Sequence, residues 1–222
     1  MKSFIIFGLM RKWISVLFLL VYITASAQER EFTLWNKNDV SVSPWEKISL
    51  DVSEKIHYST QRNSVDLKYA ELFVDYELKK WIEFGVGFRH TKVNLQNGNW
   101  SDENRPMMVL NLSTDVHKFE LSFSNRIEYR SFKTFNNHFR HRQALTFDFP
   151  NLTEWGMQFY VTEESFLKLN GAGTHLARIY TGLKAIDQKH FDLKFYYSLQ
   201  KMKVLSSWYT SDIIGLNLGF SI

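Results

Sequence analysis

Apolar and polar side chains alternate with a period of two along almost the whole chain from about residue 46 onward. The stretch FELSFSNRIEYRSF, residues 119–132, shows the pattern most plainly. One face reads Phe119, Leu121, Phe123, Asn125, Ile127, Tyr129 and the other Glu120, Ser122, Ser124, Arg126, Glu128, Arg130. Neighbouring side chains of a strand point to opposite sides of the sheet, so this period predicts a strand with one apolar face. The same alternation predicts strands at 46–59, 68–79, 81–95, 104–117, 119–132, 138–149, 154–168, 175–186, 190–204 and 211–222. No helical period interrupts them. Tight connections are expected near Lys79-Lys80, His117-Lys118, Pro150-Asn151 and Gln188-Lys189. Longer polar ones are expected at 60–67, 96–103, 133–137, 169–174 and 205–210.

Alternation alone leaves two architectures open. A soluble up-and-down barrel turns its apolar residues inward, whereas a transmembrane barrel turns them out to lipid. Three features favour lipid. The predicted strands run about 12–15 residues, beyond the roughly 9–11 that a tilted spanning strand needs and far beyond the usual ~5–6 of globular strands. Aromatics collect towards both ends of the apolar face, with Tyr76, Phe84, Phe119, Phe147, Phe149, Trp155, Phe191 and Phe220 at the short-turn end and Tyr58, Tyr129 and Phe139 at the other, as interfacial girdles do. An apolar final strand, ending Gly219-Phe220-Ser221-Ile222, suits closure against the first. The fold class expected is therefore all-β: an antiparallel up-and-down transmembrane β-barrel of ten strands over 46–222, with twelve strands as the alternative. Phe32 to Val42 is a further strand candidate, but eleven strands would break the even count of such barrels. Residues 28–45 are accordingly assigned to an N-terminal periplasmic or lumenal segment.

Residues 1–27 read as a signal peptide. Arg11 and Lys12 precede an apolar run from Trp13 to Ile23, too short to span as a helix, and Ala25-Ser26-Ala27 offers cleavage after Ala27. Met10-Arg11-Lys12 would itself begin an ordinary signal peptide, so translation from Met10 is an alternative to Met1. Export changes the charge. The segment holds Lys2, Arg11 and Lys12 and no acid, so the remainder has 27 − 3 = 24 basic and 23 acidic residues, a net charge of +1 rather than +4. That removes most of the support for a nucleic-acid partner, which calls for a clustered basic surface. The absence of cysteine excludes disulfides, thiolate metal sites and Cys nucleophiles. The partners expected are outer-membrane lipid and, during insertion, the barrel-assembly machinery. No motif indicates what would bind the loops.

With the apolar face outward, the polar face lines a lumen rich in both signs of charge. Arg126, Glu128, Arg130, Arg140, Arg142, Glu164 and Arg178 lie on neighbouring strands. Enclosed charges need partners, and the guanidinium fork suits carboxylates. One reading is a cross-lumen salt-bridge network filling a narrow barrel in a structural or interaction role. The other is a narrow channel or binding barrel for small anionic solutes. Eight strands are filled by side chains and 16–18 leave a channel; ten lies nearer the filled end.

The segments NRIEYRSF, HFRHRQALTFDFP, WGMQFYVTEESFL and RIYTGLK resemble the Bacteroidota family of domain-of-unknown-function 2490. That family's pattern has an Arg-x-Glu-x-Arg strand, an Arg-x-Arg strand and a strand carrying a Glu before aromatics. The matching positions are Arg126, Glu128 and Arg130, then Arg140 and Arg142, then Glu164 and Phe166. The resemblance implies an outer-membrane barrel and implies no activity.

Motifs for catalysis are missing: there is no nucleophile elbow, HExxH, P-loop or dinucleotide fingerprint, and no metal or cofactor is expected. One constellation points the other way. Asn125, His141, Gln143, Glu163 and Ser165 interrupt the lipid-facing side of three consecutive strands. A Ser activated by a His that an Asn orients performs acyl transfer, and outer-membrane phospholipases resemble this in placing such a set on the lipid face. That alternative requires Ser165 Oγ within hydrogen-bond reach of a His141 nitrogen. The expectation is that the chain is not an enzyme.

Overall fold

A computed structural model describes residues 30–95, 98–171, 173–204 and 206–222; the expected signal peptide lies outside the described residues. From Glu31 to Ile222 the chain forms one closed barrel of eleven strands. They are β1 (Glu31–Trp45), β2 (Ile48–Ser59), β3 (Ser64–Lys79), β4 (Ile82–Asn94), β5 (Trp100–Val116), β6 (Phe119–Phe132), β7 (His138–Asp148), β8 (Gln158–Lys168), β9 (Gly173–Gln188), β10 (Phe191–Val204) and β11 (Ser207–Ser221). Consecutive strands pair antiparallel, and β1 closes the barrel on β11.

Ten strands, and the placing of 28–45 outside the barrel, are corrected by β1. Its ladders run from Glu31↔Ser211 to Ser41↔Ser221 on one side and from Thr33↔Ser59 to Trp45↔Ile48 on the other. The parity objection is met by geometry, because the β1–β11 pair is parallel: an odd strand count closes when one pair runs in the same direction. Pro44 sits where the β1–β2 register shifts between Val42 and Trp45, a position that tolerates its missing N–H. Pro106, well inside β5, is handled likewise. The β5–β6 ladder runs Asn104↔Ser131 and then Met107↔Glu128, leaving Arg105 and Pro106 out of it.

The connections follow the expected asymmetry with two exceptions. At one end β1–β2, β3–β4, β5–β6 and β9–β10 are joined by two residues each, but β7 and β8 are nine apart in the chain, over 149–157. Here the predicted strand 154–168 begins only at Gln158, so Trp155 is a turn residue, 68% exposed. The turn folds back on itself, with Leu152 N donating to Met157 O at 2.7 Å and Asp187 N to Trp155 O at 2.8 Å. Gly156 has φ +76° and lies against the Asp187 backbone, so a side chain has neither the conformation nor the space there. At the other end the loops span 60–63, 95–99, 133–137 and 169–172, while β10–β11 needs only residues 205 and 206 instead of the long loop expected.

The burial pattern shows which way each face of the strands points. Val52, Leu72, Val86, Met108, Ile127, Phe159, Ile179, Phe195 and Ile214 stand exposed on the outer wall. Glu103, Arg105, Glu128, Arg140, Asp148 and Glu164 are buried inside it. The outer aromatics pair across strands, Phe119 with Phe147 at 5.0 Å between centroids, Tyr129 with Phe139 at 4.9 Å and Phe191 with Phe220 at 5.4 Å.

Candidate functional site

Strand alternation aims the second face of β6 into the lumen, and β5, β7, β8 and β9 bring their own inward side chains to meet it. Arg126 pairs in register with Arg142, Glu128 with Arg140, and Glu164 with Arg178. All seven charged residues singled out from the sequence therefore enter one mid-lumen band.

That band is two connected sets of ion pairs. The larger starts at Arg89, which pairs with Glu71; Arg126 reaches Glu71 at 3.9 Å and Glu128 at 3.8 Å. Glu128, 1% exposed, accepts from Arg140 Nε and Nη2 at 2.8 and 2.6 Å and lies 3.5 Å from Arg105. Glu103, also 1% exposed, takes Arg105 Nε at 2.8 Å and Arg130 in a two-pronged grip at 2.7 and 2.9 Å. The smaller set centres on Glu164, which pairs with Arg142, lies 3.3 Å from Arg178 and accepts the Tyr180 hydroxyl at 3.0 Å. Five arginines face three glutamates in the first set and two face one in the second, an excess of three positive charges. Arginine does not deprotonate in proteins, so the excess is permanent.

Aromatic rings pack beside the ion pairs. Trp35, Tyr196 and Ile213 form a buried cluster with Tyr160 and Tyr180 packed on it. His57 stacks on Trp35 at 3.9 Å, 3° from coplanar, and Phe166 lies under Arg140, Arg178 and Arg142 at 4.8, 5.0 and 5.7 Å. The lumen holds two cavities, each lined in part by these ion pairs. The upper, about 570 Å³, occupies the half of the lumen towards the 60–63 and 133–137 loops. Ten lysines and arginines line it against three carboxylates, Glu31, Asp66 and Glu128. The lower, about 230 Å³, carries Asp39, Asp51, Glu71 and Asp75 against Lys37 and Arg126. At the upper mouth Arg62, in the β2–β3 turn, donates to Asp66 at 3.0 Å and pairs with Glu31. The Asp66 carboxylate it donates to, with Glu31 beside it, holds the Arg62 guanidinium pKa above its ordinary value.

Several residues of this site carry no signal in the strand pattern. Glu103 falls one residue before the predicted start of its strand. Trp35 lies in the segment assigned outside the barrel. Lys55 is inward on β2, yet only the fold shows its surroundings: its Nζ lies 4.0 Å from the Trp35 ring centroid and donates to the Tyr196 hydroxyl at 3.3 Å.

The outer-wall constellation assembles only in part. His141 Nε2 and Asn125 Oδ1 are 3.3 Å apart. Ser165 is in register with Gln143 rather than His141, and its buried Oγ has no hydrogen-bond partner. The Ser–His contact that acyl transfer requires is not formed. Among the described residues no cluster of three His, Asp or Glu side chains is placed to hold a metal ion.

Comparison with known proteins gives one match. A family model described as "Protein of unknown function (DUF2490)" matches residues 32–210. No curated protein and no solved structure matches the chain.

Proposed function

Since this chain belongs to the DUF2490 family of proteins of unknown function, its role has to be argued from its own side chains, and we propose that it is a bacterial outer-membrane β-barrel whose lumen is sealed by a structural ion-pair band. Export by a signal peptide cleaved after Ala27 and insertion by the barrel-assembly machinery belong to the same reading, as does a role of the loops as contact surface for a partner. No reaction is assigned to it. One observation carries the proposal: the wall is apolar outside and the buried charges are inside. In water that arrangement would be inverted, because exposing so many large apolar side chains while enclosing ionised ones is costly twice over. In lipid each term changes sign or is offset, and a closed sheet leaves no unpaired edge for the hydrocarbon.

The second reading, a barrel that binds small anions, is favoured by the three-charge excess in the band, six of whose arginines line the upper cavity beside Lys55, Arg62, Lys168 and Lys203. Both readings predict a sealed barrel. The test is gel mobility of the mature protein from the outer-membrane fraction, heated and unheated, with conductance of the same material in planar bilayers. The expected result is a heat-dependent shift and no steady open level. Recovery as a soluble periplasmic protein without a shift would refute the membrane reading, and a stable conductance step would refute the seal.

A further inference from the structure

Resting on the sealed-barrel reading, the upper cavity raises a narrower question: what neutralises it. The four glutamates of the band are each already engaged by arginine, and seven arginines share them. Arg142 Nε and Arg126 Nε are buried without a hydrogen-bond acceptor. Lys55 adds a further basic group that forms no ion pair with a carboxylate among the described residues; its neighbours are the Trp35 ring and the Tyr196 hydroxyl. Arg178 lies 4.8 Å from the centroid of that same indole, so two cationic side chains share one ring. The carboxylate nearest them, Glu164, is already held by Arg142, Arg178 and Tyr180.

A buried excess of positive charge is costly unless something negative completes it. We infer that the upper cavity is a binding site for a small solute carrying two or more oxyanionic groups, carboxylate or phosphate, seated between Lys55, Arg178 and Arg142 with Trp35 and Phe166 as its apolar walls. About 570 Å³ is within the range of small-molecule sites, which combine apolar walls with a few convergent polar groups. The guanidinium fork binds both oxyanions in two-pronged fashion. Lys168 and Lys203 at the mouth raise the local concentration of anions arriving from the loop side. Monoanions gain less, because a single charge leaves most of the excess uncompensated.

The test uses the mature chain folded in detergent micelles in low-chloride buffer, titrated calorimetrically with citrate and separately with pyrophosphate. Acetate is the monoanion control and spermidine the cation control. Saturable binding of at least one polyanion is expected, with Kd below about 1 mM and at least about tenfold tighter than acetate. The stronger of the two distinguishes carboxylate from phosphate. Lys55→Met should weaken it about tenfold; this variant breaks no ion pair. As a readout needing no variant, the polyanion should raise the temperature at which the fast-migrating folded band is lost, and spermidine should not. Absence of saturable binding by both polyanions overturns the inference. So does binding that Lys55→Met and Arg178→Gln leave unchanged, which would place the anion elsewhere. The heat-dependent gel shift on the same sample separates the two failures: a missing shift refutes the barrel itself, and a retained shift without binding refutes the anion site alone.

Discussion

Replacing Glu128 by Gln keeps the volume of the side chain and removes its charge from the centre of the ion-pair band. Three guanidiniums lie within 4 Å of that carboxylate, Arg140 at 2.6 Å, Arg105 at 3.5 Å and Arg126 at 3.8 Å. At an effective dielectric of about 20, each such pair is worth roughly 4 kcal/mol before desolvation. Three give about 12 kcal/mol gross, from which the several kcal/mol needed to strip water from each ion must be subtracted. The net matches the roughly 3–5 kcal/mol typical of removing one partner from a buried pair. The first set of the band would go from five arginines and three glutamates to five and two, raising its excess from two charges to three. For a barrel of this length 1 kcal/mol displaces the melting point by about 2–4 °C, so a fall of roughly 6–20 °C is expected. The assay is the temperature at which the folded gel band disappears, read beside urea unfolding in lipid vesicles. Glu128→Gln combined with Arg140→Gln removes one charge of each sign and should recover part of the loss, with coupling up to about 3 kcal/mol. A single-variant change below about 2 °C, with the two substitutions simply additive, would refute the claim that Glu128 holds these arginines together.

Three further outcomes are expected. Ile179→Arg places a charge at the middle of β9 on the outer wall, where the side chain is 55% exposed; at a bilayer midplane it should cost about 2–4 kcal/mol, and unchanged urea-dependent folding into vesicles would contradict a lipid-facing wall. Gly215→Val puts Cβ on the Tyr196 ring, displacing the hydroxyl that Lys55 contacts; a loss of about 1–3 kcal/mol in thermal unfolding is expected, and a variant as stable as the parent would show that the ring moves freely. Ser165→Ala deletes a buried hydroxyl without a partner, so stability should hold or rise slightly; a fall of more than about 1 kcal/mol would reveal a partner for Ser165 Oγ.

Where alternation was clean, the sequence located strands closely: 119–132 was predicted and β6 is Phe119–Phe132. Every charged residue assigned to the band from sequence lies in it, because parity along a strand fixes the side and the apolar majority fixes which side is outer. β1 was a strand candidate over Phe32 to Val42 and was set aside; its pattern is also weak. Its outer face reads Leu34, Asn36, Asn38, Val40, Val42, and the two asparagines dilute the apolar signal. Asn38 Nδ2 donates to Asn36 Oδ1 along the strand at 3.1 Å and across to Glu54 Oε1 of β2 at 3.0 Å, the latter a cross-strand contact that no single-strand pattern reveals. The even-count rule then argued against the strand, since nothing in the pattern announced a parallel closing pair. Which arginine grips which glutamate was illegible for a related cause. Partners such as Glu103 and Arg130, or Glu71 and Arg126, are set by the stagger of a tilted sheet, and Glu103 itself fell just outside its predicted strand.

The two cavities differ in sign, and that difference separates binding from passage. Six of the ten basic side chains lining the upper cavity belong to the band itself; above it Lys55, Arg62, Lys168 and Lys203 face Glu31 and Asp66, and below it Asp39, Asp51 and Asp75 face Lys37. An anion entering from the loop end therefore moves down a favourable gradient until it meets the band, whose four glutamates are already committed to arginine. Beyond lie Asp39, Asp51 and Asp75, which repel it. A cation entering from the other end meets the mirror problem at the arginines. A pore for either ion would need a matched sign along its length, and a hollow spacer would need no net charge in the band. A lumen cationic above and anionic below, with the ion-pair band between, suits the one-sided receptacle proposed above. On the proposed reading the arginine excess answers an anionic occupant of the upper cavity, and the glutamates would hold the arginines in place for it.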